Sequence, residues 1–321
     1  MKAIVVKKTG GPEVLKIEQA DEPKAAAGQA VVKLEAAGVN FIDTYHRRGL
    51  YPKEVPFVPG LEAAGIVESV GPGVSAVKPG DHVAYTSVPG AYAEKCAVPA
   101  DKLIPVPAGM SFEQAAAVPL QGMTAHYLLH EYYKPKAGDT VMIHAAAGGM
   151  GLLLVQWAKH LGARVFGTVS SPEKAKLAKD AGADEVIMYT KEDWVAKVAE
   201  LTGGNGLRLI IDGVGKTTFP GDLQAVANRG NVVIFGSASG RAEPIHPNDL
   251  QQRSITVSGG SLFNYLNTRE ELMERANAVL RGIKEGWLKL HIGKVLPLEE
   301  AQEAHRLLES RQSTGKIILK V

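Results

Sequence analysis

The spacing of apolar and polar positions changes character along the chain. As far as about residue 122 the apolar runs are short and broken by Gly and Pro, as in VVKLEAAGV, AAGIVESVG, GDHVAY and AYAEKCAV. That punctuation predicts a compact β domain with many turns. From about 123 to 262, apolar runs alternate with helical segments: TVMIHAA, RVFGTV, EVIMYT, LRLIID, NVVIFG and ITVSGG. They begin near residues 140, 164, 185, 207, 231 and 255, room for one strand and one crossover helix per unit. The pattern predicts an α/β domain with a six-stranded, doubly wound parallel sheet.

A helix is predicted from about Arg269 to Glu285, because Leu272, Ala276, Val279, Leu280 and Ile283 share one face. A second follows from Leu298 to Ser310, and the chain closes on GKIILKV. A terminal strand after two helices does not extend the six-unit pattern. It is therefore assigned back to the first domain, giving residues 1–122 and 266–321 as one domain and 123–265 as an inserted second.

Composition adds mainly exclusions. A chain of 321 residues exceeds the size at which one core stops growing, in keeping with two domains. The most apolar stretch, Val141 to Ala158, is interrupted by His144, Gln156 and paired glycines, so it reads as a buried strand and helix and not as a membrane span. A run of only four apolar residues precedes Lys7 in MKAIVVKK, too short for a secretory leader, and a cytoplasmic location is expected. Cys96 is the sole cysteine, which excludes an intrachain disulfide and a zinc site of the three- or four-cysteine kind. The net charge is +2 and the basic residues are dispersed in pairs such as Lys7-Lys8 and Arg47-Arg48, so nucleic acid is not an expected partner.

The chemistry is concentrated between the first of the six runs and its helix. HAAAGGMG, residues 144–151, matches A-x-G-x-x-G at Ala146, Gly148 and Gly151, with Gly149 and Met150 between them. A lone glycine pattern is weak, but this one follows an apolar strand, opens a helix and begins the six-strand series. Glycines let the backbone approach a pyrophosphate, and the helix start supplies free N–H groups and a positive dipole end. The loop therefore predicts a Rossmann dinucleotide site. The second run ends at Val169, where an acidic residue would hold the ribose hydroxyls of NAD. SSPEK follows instead, and Ser170, Ser171 and Lys174 suit the 2′-phosphate of NADPH. Ser171 also reads as the cap of the next helix and Lys174 as a surface charge.

At this point the chain resembles the quinone oxidoreductases of the zinc-free branch of the medium-chain dehydrogenase/reductase superfamily, the group that includes zeta-crystallin. The resemblance runs through GGPEVL, GVNFIDTYHRRGLYP, PGLEAAGIVESVGPGV, GDHVAY, HAAAGGMGLLLVQWAKHLGA, GTVSSPEKA, NYLNTREEL and LLESRQSTGK, nearly the whole chain. It implies a GroES-like catalytic domain around a Rossmann cofactor domain, NADPH as cofactor, a quinone as substrate and a homodimer joined through the cofactor domains. Zinc relatives carry a cysteine ligand in the segment matching GVNFID and a histidine ligand in that matching PGLEAAG. Asn40 and Leu61 stand there, so no metal is expected.

The resemblance also implies a site. Asn40, Tyr45 and Tyr51 are its catalytic candidates: an amide donor, a hydroxyl donor and an aromatic wall. Phe41, Ile42, Asp43, Thr44 and Tyr45 would line the nicotinamide, although Asp43 also reads as a partner for Arg47 or Arg48. Tyr127, Tyr189 and Arg311 match positions that touch the cofactor, as do Gly213, Phe235, Gly236, Ser237 and Ala238. Packing would equally account for Tyr45, Tyr51, Tyr127 and Tyr189, and a solvated helix end for Arg311. Two departures stand out: IDGVG at 211–215 where bacterial relatives usually read YDSVG, and Ser258-Gly259-Gly260 where they often read TRP. Two other functions remain open at this level, an NADPH-dependent reductase of enone or enal double bonds, and a non-catalytic NADPH-binding or RNA-interacting protein.

Overall fold

The computed structural model describes all 321 residues. They divide into two compact units, 1–120 with 266–277 and 290–321, and 121–265 with 278–289. The division is finer than the apolar pattern predicts, because the second half of the long helix after residue 268 and the turn behind it fall in the second unit.

In the first unit, β1 (Lys2–Val5) and β2 (Lys16–Gln19) form an antiparallel pair. Next come β3 (Gln29–Val39), α1 (Phe41–Arg48), β4 (Glu62–Val70), β5 (His82–Thr86), β6 (Lys95–Pro99), β7 (Ile104–Pro105) and α2 (Phe112–Ala115). The eleven-residue β3 is long enough to pair with β4 along one edge and, along the other, with β6 at its start. A buried set including Ile4, Leu34, Val67, Tyr85, Tyr92, Val98 and Leu319 fills the inside. Gly65 is required where strands close up, since a Cβ there would meet the Lys33 carbonyl oxygen.

Helix α3 (Pro119–Tyr127) leads into the second unit. There β8 (Thr140–Ile143), α4 (Gly149–His160), β9 (Arg164–Val169), α5 (Pro172–Asp180), β10 (Glu185–Met188), α6 (Trp194–Leu201), β11 (Leu207–Asp212), α7 (Phe219–Ala225), β12 (Val226–Ile234) and β13 (Thr256–Gly259) alternate as predicted. The six strands are parallel, in the order β10-β9-β8-β11-β12-β13. The order reverses between β8 and β11, and an open α/β sheet binds ligands outside the carboxyl ends of strands at that reversal. Buried Met142, Phe166, Ile187, Ile210 and Val232 form its core.

Helix α8 (Arg269–Lys284), β14 (Ile292–Pro297), α9 (Ala301–Glu309) and β15 (Lys316–Lys320) complete the chain. The terminal strand joins the first unit's sheet, where β15 lies antiparallel to the end of β3 with Ile317 opposite Val39. No helix is long and apolar enough to cross a membrane.

Candidate active site

The predicted residues fall into two groups, one in each unit. In the second unit, Ala145 takes a left-handed turn (φ 51°) after β8 and Gly148 becomes the N-cap of α4. Gly148 N–H donates to the Ala145 carbonyl at 2.9 Å, and the Ala146 N–H to Thr168 at 3.0 Å. The first N–H groups of α4 then have no acceptor within the helix. A Cβ on Gly151 would strike the Ala145 carbonyl oxygen and come within 2.7 Å of Ala146 Cα, and one on Gly149 would strike the Gln121 side chain. Gly148 has a single neighbour, the Ala145 oxygen at 3.2 Å. Packing against backbone thus demands Gly151, the contact at Gly149 is with the movable end of Gln121, and Gly148 keeps one side of the helix start open. That geometry fits a pyrophosphate held by backbone N–H groups.

At the end of β9, Ser171 caps α5, its Oγ accepting from Lys174 N–H at 3.3 Å. Its hydroxyl also bonds the exposed Glu173 carboxyl, which it holds, with the local backbone, below the usual carboxylate range. The loop therefore contains a carboxylate beside one of the predicted phosphate donors. Ser170 and Lys174 remain beside it, and burial lowers the Lys174 ammonium from its ordinary range. The end of β10 brings Tyr189 to the same loop: its N–H donates to Val169 at 3.2 Å, and Thr190 Oγ1 donates to the Ser170 carbonyl at 3.1 Å.

The ends of β11 and β12 form one turn cluster. Buried Asp212 accepts from the N–H groups of Val214 (2.6 Å) and Gly215 (3.1 Å) and from Thr218 Oγ1 (2.8 Å). A Cβ on Gly213 would lie 2.6 Å from Phe235 Cζ, and one on Gly236 2.7 Å from the Gly213 oxygen. Ala238 N–H closes the cluster onto Gly213 at 3.2 Å, with Ser237 in the same turn. A serine at 213 would have to displace Phe235, so part of the first sequence departure has a packing cause, while nothing in the structure explains Ile211. At the second, Tyr132 Oη donates to the Gly259 carbonyl at 2.7 Å and a Cβ on Gly260 would overlap that hydroxyl, which bears on position 260 alone. Tyr127 is enclosed here, stacked on Tyr265 with centroids 4.7 Å apart.

Beneath the glycine loop lies a pair that sequence reasoning did not single out. His144 Nε2 meets Asp222 Oδ1 at 2.7 Å and its Nδ1 meets Thr168 Oγ1 at 2.9 Å, all three residues buried. Burial lifts Asp222 to about 6, and, against burial, the neighbouring carboxylates lift His144 as well. His144 Nε2 and Asp222 Oδ1 are joined by a hydrogen bond that raises the histidine, while burial raises the aspartate.

In the first unit, β3 runs into Asn40, the N-cap of α1. Asn40 Oδ1 accepts from Lys316 Nζ at 2.8 Å, and its Nδ2 donates to Glu62 Oε2 at 2.9 Å and to the Gly38 carbonyl at 3.2 Å. Lys316 Nζ also stands 2.5 Å from Glu62 Oε2, and Glu62 Oε1 accepts from the Leu120 N–H at 2.5 Å. All three side chains are buried. Both amide protons of Asn40 are thereby engaged inside the protein, which corrects its expected role as a donor to substrate. Glu62 and Lys316 were missed, the only sequence signals being an acid inside PGLEAAG and a lysine inside STGKIILK.

Asp43 is not a partner of Arg47 or Arg48, whose guanidinium groups approach Glu309 at 2.7 and 4.0 Å. Its Oδ2 instead accepts from the Asn40 backbone N–H at 2.9 Å and from Tyr92 Oη at 3.0 Å. Burial lifts Asp43 to about 7. The two hydrogen bonds and the Lys316 charge offset only part of that, and Glu62 opposes them. On the same helix Thr44 Oγ1 donates to the Phe41 carbonyl at 2.7 Å, beside the half-buried Ile42. Tyr45 is buried against Phe41, and the ring of Tyr51 meets it edge-on with centroids 5.3 Å apart. Tyr51 is 44% exposed, so one side of this aromatic pair is open. Arg311 lies exposed in a left-handed turn (φ 58°) after α9.

Residues 149–278 match the family of zinc-binding dehydrogenases, and residues 26–108 the alcohol dehydrogenase GroES-like domain. Quinone oxidoreductase 1 of Escherichia coli K12 is 44% identical over 97% of both chains. A 2-haloacrylate reductase of a Burkholderia species is 42% identical over 99% of this chain and 98% of its own. Among solved structures, a mycobacterial protein complexed with NADPH superposes with a TM-score of 0.97 at 47% identity, over the full length of both chains.

Proposed function

Since the chain belongs to the quinone oxidoreductase family of the medium-chain dehydrogenase/reductase superfamily, we propose that it is an enzyme that oxidises NADPH and reduces a quinone, by hydride transfer and without a metal. The observation that carries the metal-free reading is the buried Lys316. Its ammonium occupies Asn40 Oδ1 and Glu62 Oε2, the oxygen donors of this segment, so a cation tethered to the chain already neutralises them. Leu61 beside them has no donor atom.

NADPH, when bound, supplies the hydride, and the chain's work is to bind, orient and exclude. The backbone of 148–151 would hold the pyrophosphate, and Ser170 and Lys174 the 2′-phosphate. Tyr51, packed on Tyr45 and His46 and still 44% exposed, offers a flat wall to an electron-poor ring. Such an acceptor takes hydride without a Lewis acid, whereas a simple ketone develops alkoxide charge that no group described here would stabilise.

The test is NADPH consumption with a panel of acceptors after prolonged chelation. Large planar ortho-quinones should turn over fastest, aldehydes and ketones should fail, and chelation should change nothing. Activity lost on removal of a stoichiometric metal would overturn the metal-free reading. Enones or haloacrylates turning over faster than quinones would replace the quinone with an activated double bond, the chemistry in the name of the Burkholderia relative. A homodimer through the edge strand β13 completes the proposal, and a monomer in sedimentation at micromolar concentration would count against it.

A further inference from the structure

Behind the first helix of the candidate site runs a chain of buried polar groups that no step above uses. Arg47, 1% exposed, donates through Nη1 to His305 Nδ1 at 3.1 Å, through Nη2 to Glu309 at 2.7 Å and through Nε to the Gly10 carbonyl at 3.1 Å. His305 on α9, fully buried, meets Tyr92 Oη with its Nε2 at 3.2 Å, and Tyr92 donates to Asp43 Oδ2 at 3.0 Å. The direction of every bond is fixed by chemistry. A guanidinium has only donors and does not give up its proton, so His305 Nδ1 must be bare and its proton must sit on Nε2. Tyr92 then accepts from His305 and has its own proton left for Asp43. All the donors point from Arg47 toward Asp43, an arrangement in which each bond polarises the next.

The arginine at the far end also decides what the chain does. A relay that carried protons would need a group at that end able to release one, and Arg47 cannot. The chain orients charge and does not conduct. We propose that His305 and Tyr92 are positioning residues: held by Arg47 in one tautomer, His305 acts through Tyr92 to keep Asp43 an ionised carboxylate that anchors the start of α1, the helix carrying Tyr45. The consequence for turnover rests on the function proposed above, while the effect on Asp43 does not.

The groups facing Asp43 are Tyr92 from the loop before β6, Lys316 from β15, Glu62 from β4 and, more distantly, Lys53 from the segment after α1. Those facing His305 are Arg47 and Tyr92. Burial, then the Arg47 charge, pushes His305 down to about 3, so it stays neutral while Asp43, lifted to about 7, titrates. Asp43 Oδ1, buried and without a hydrogen-bond partner, is where the proton would go. Because Asp43 is raised, its charged anchoring form prevails above about pH 7; below it Oδ2 still accepts from Asn40 and Tyr92 but without the charge, so the anchor weakens and turnover should fall on the acid side.

Tyr92→Phe removes one charge-assisted hydrogen bond to the carboxylate, and the acid limb of kcat/KM should move up by about one to two pH units. His305→Leu should move it the same way. His305→Gln, whose amide N–H can reach the position of Nε2–H, should return it toward the wild type. The second readout needs neither cofactor nor acceptor: the infrared carbonyl stretch of protonated Asp43 in the cofactor-free protein, assigned by its loss in Asp43→Asn. Its titration midpoint should move in parallel. An unmoved midpoint in a folded Tyr92→Phe protein overturns the proposal, and so does a moved midpoint with an unmoved acid limb on whichever acceptor is turned over. If no quinone is reduced but both readouts move with another acceptor, the positioning role stands and only the quinone falls.

Discussion

Removing the ammonium of Lys316 while keeping the bulk of its side chain, as Lys316→Met does, isolates the buried triad. Glu62 would retain two hydrogen bonds, from the Leu120 N–H at 2.5 Å and from Asn40 Nδ2 at 2.9 Å, but would lose the cation 2.5 Å away. The two side chains are 0% and 3% exposed, so water cannot replace the lost charge. Breaking a buried pair from one side costs about 3–5 kcal/mol, most of it the price of an uncompensated charge. For a domain of this size that is a drop in melting temperature of roughly 6–20 °C. Asn40 loses the acceptor contact that fixes its amide plane, so turnover should fall as well. One comparison separates charge from packing. Adding Glu62→Gln should recover part of the loss, because it removes the stranded charge while its single amide oxygen keeps the Leu120 N–H contact of Oε1, and Asn40, released by Lys316, can turn its amide to accept from the new NH2. Denaturant unfolding at pH 8 measures all three proteins. A single variant within about 1 kcal/mol of wild type, well below the cost of a broken buried pair, would refute the reasoning. So would a double variant no more stable than the single.

Three further outcomes are expected from the site. Gly151→Ala drives a Cβ into the backbone of Ala145 and Ala146. It should weaken NADPH binding by about tenfold or more while costing roughly 1–3 kcal/mol of stability, and unchanged affinity by fluorescence titration would show that the loop does not carry the pyrophosphate. Lys174→Ala should weaken NADPH roughly 10- to 100-fold by loss of a charge-assisted bond and leave NADH nearly unchanged; equal losses in calorimetry would make Lys174 a structural residue. Tyr51→Ala should lower kcat/KM for a planar quinone by more than it alters NADPH affinity, stacking contributing about 0.5–1.5 kcal/mol beyond burial, with Phe tolerated at 51; a loss confined to cofactor affinity would move Tyr51 out of the acceptor pocket.

What the sequence made legible and what it hid differ by the range of the interaction. The six-stranded parallel sheet and the glycine loop were readable because their causes are local: a strand-helix period repeated six times, and three glycines where one strand passes into one helix. Ser171 as a helix cap belongs to the same class. The polar centre of the first unit was not readable, because its members are far apart in the chain. Lys316 and Asn40 are 276 residues apart and Lys316 and Glu62 are 254 apart. They meet only because β15 lies antiparallel to β3 in a register that sets Ile317 opposite Val39 and so brings Lys316 beside Asn40. In a linear reading Lys316 is one lysine at the start of a strand, where solvation is the ordinary expectation. His305 is hidden in the same way, lying on a helix face 213 residues from Tyr92.

The same difference explains how a correct subtraction led to an incomplete role for Asn40. Reading Asn40 and Leu61 against a thiolate and an imidazole shows what a tetrahedral zinc site would lack, and it leaves Asn40 looking like a spare amide free to meet a substrate. A polar side chain at 3% exposure is seldom spare, since an unpaired buried amide costs more than most contacts return. Its partners had to exist, and the fold supplies them from β4 and β15. Glu62 needs a cation for the same reason. With Lys316 that cation is covalently part of the chain, and Tyr51, 44% exposed, is the aromatic of this segment that stays open to the outside.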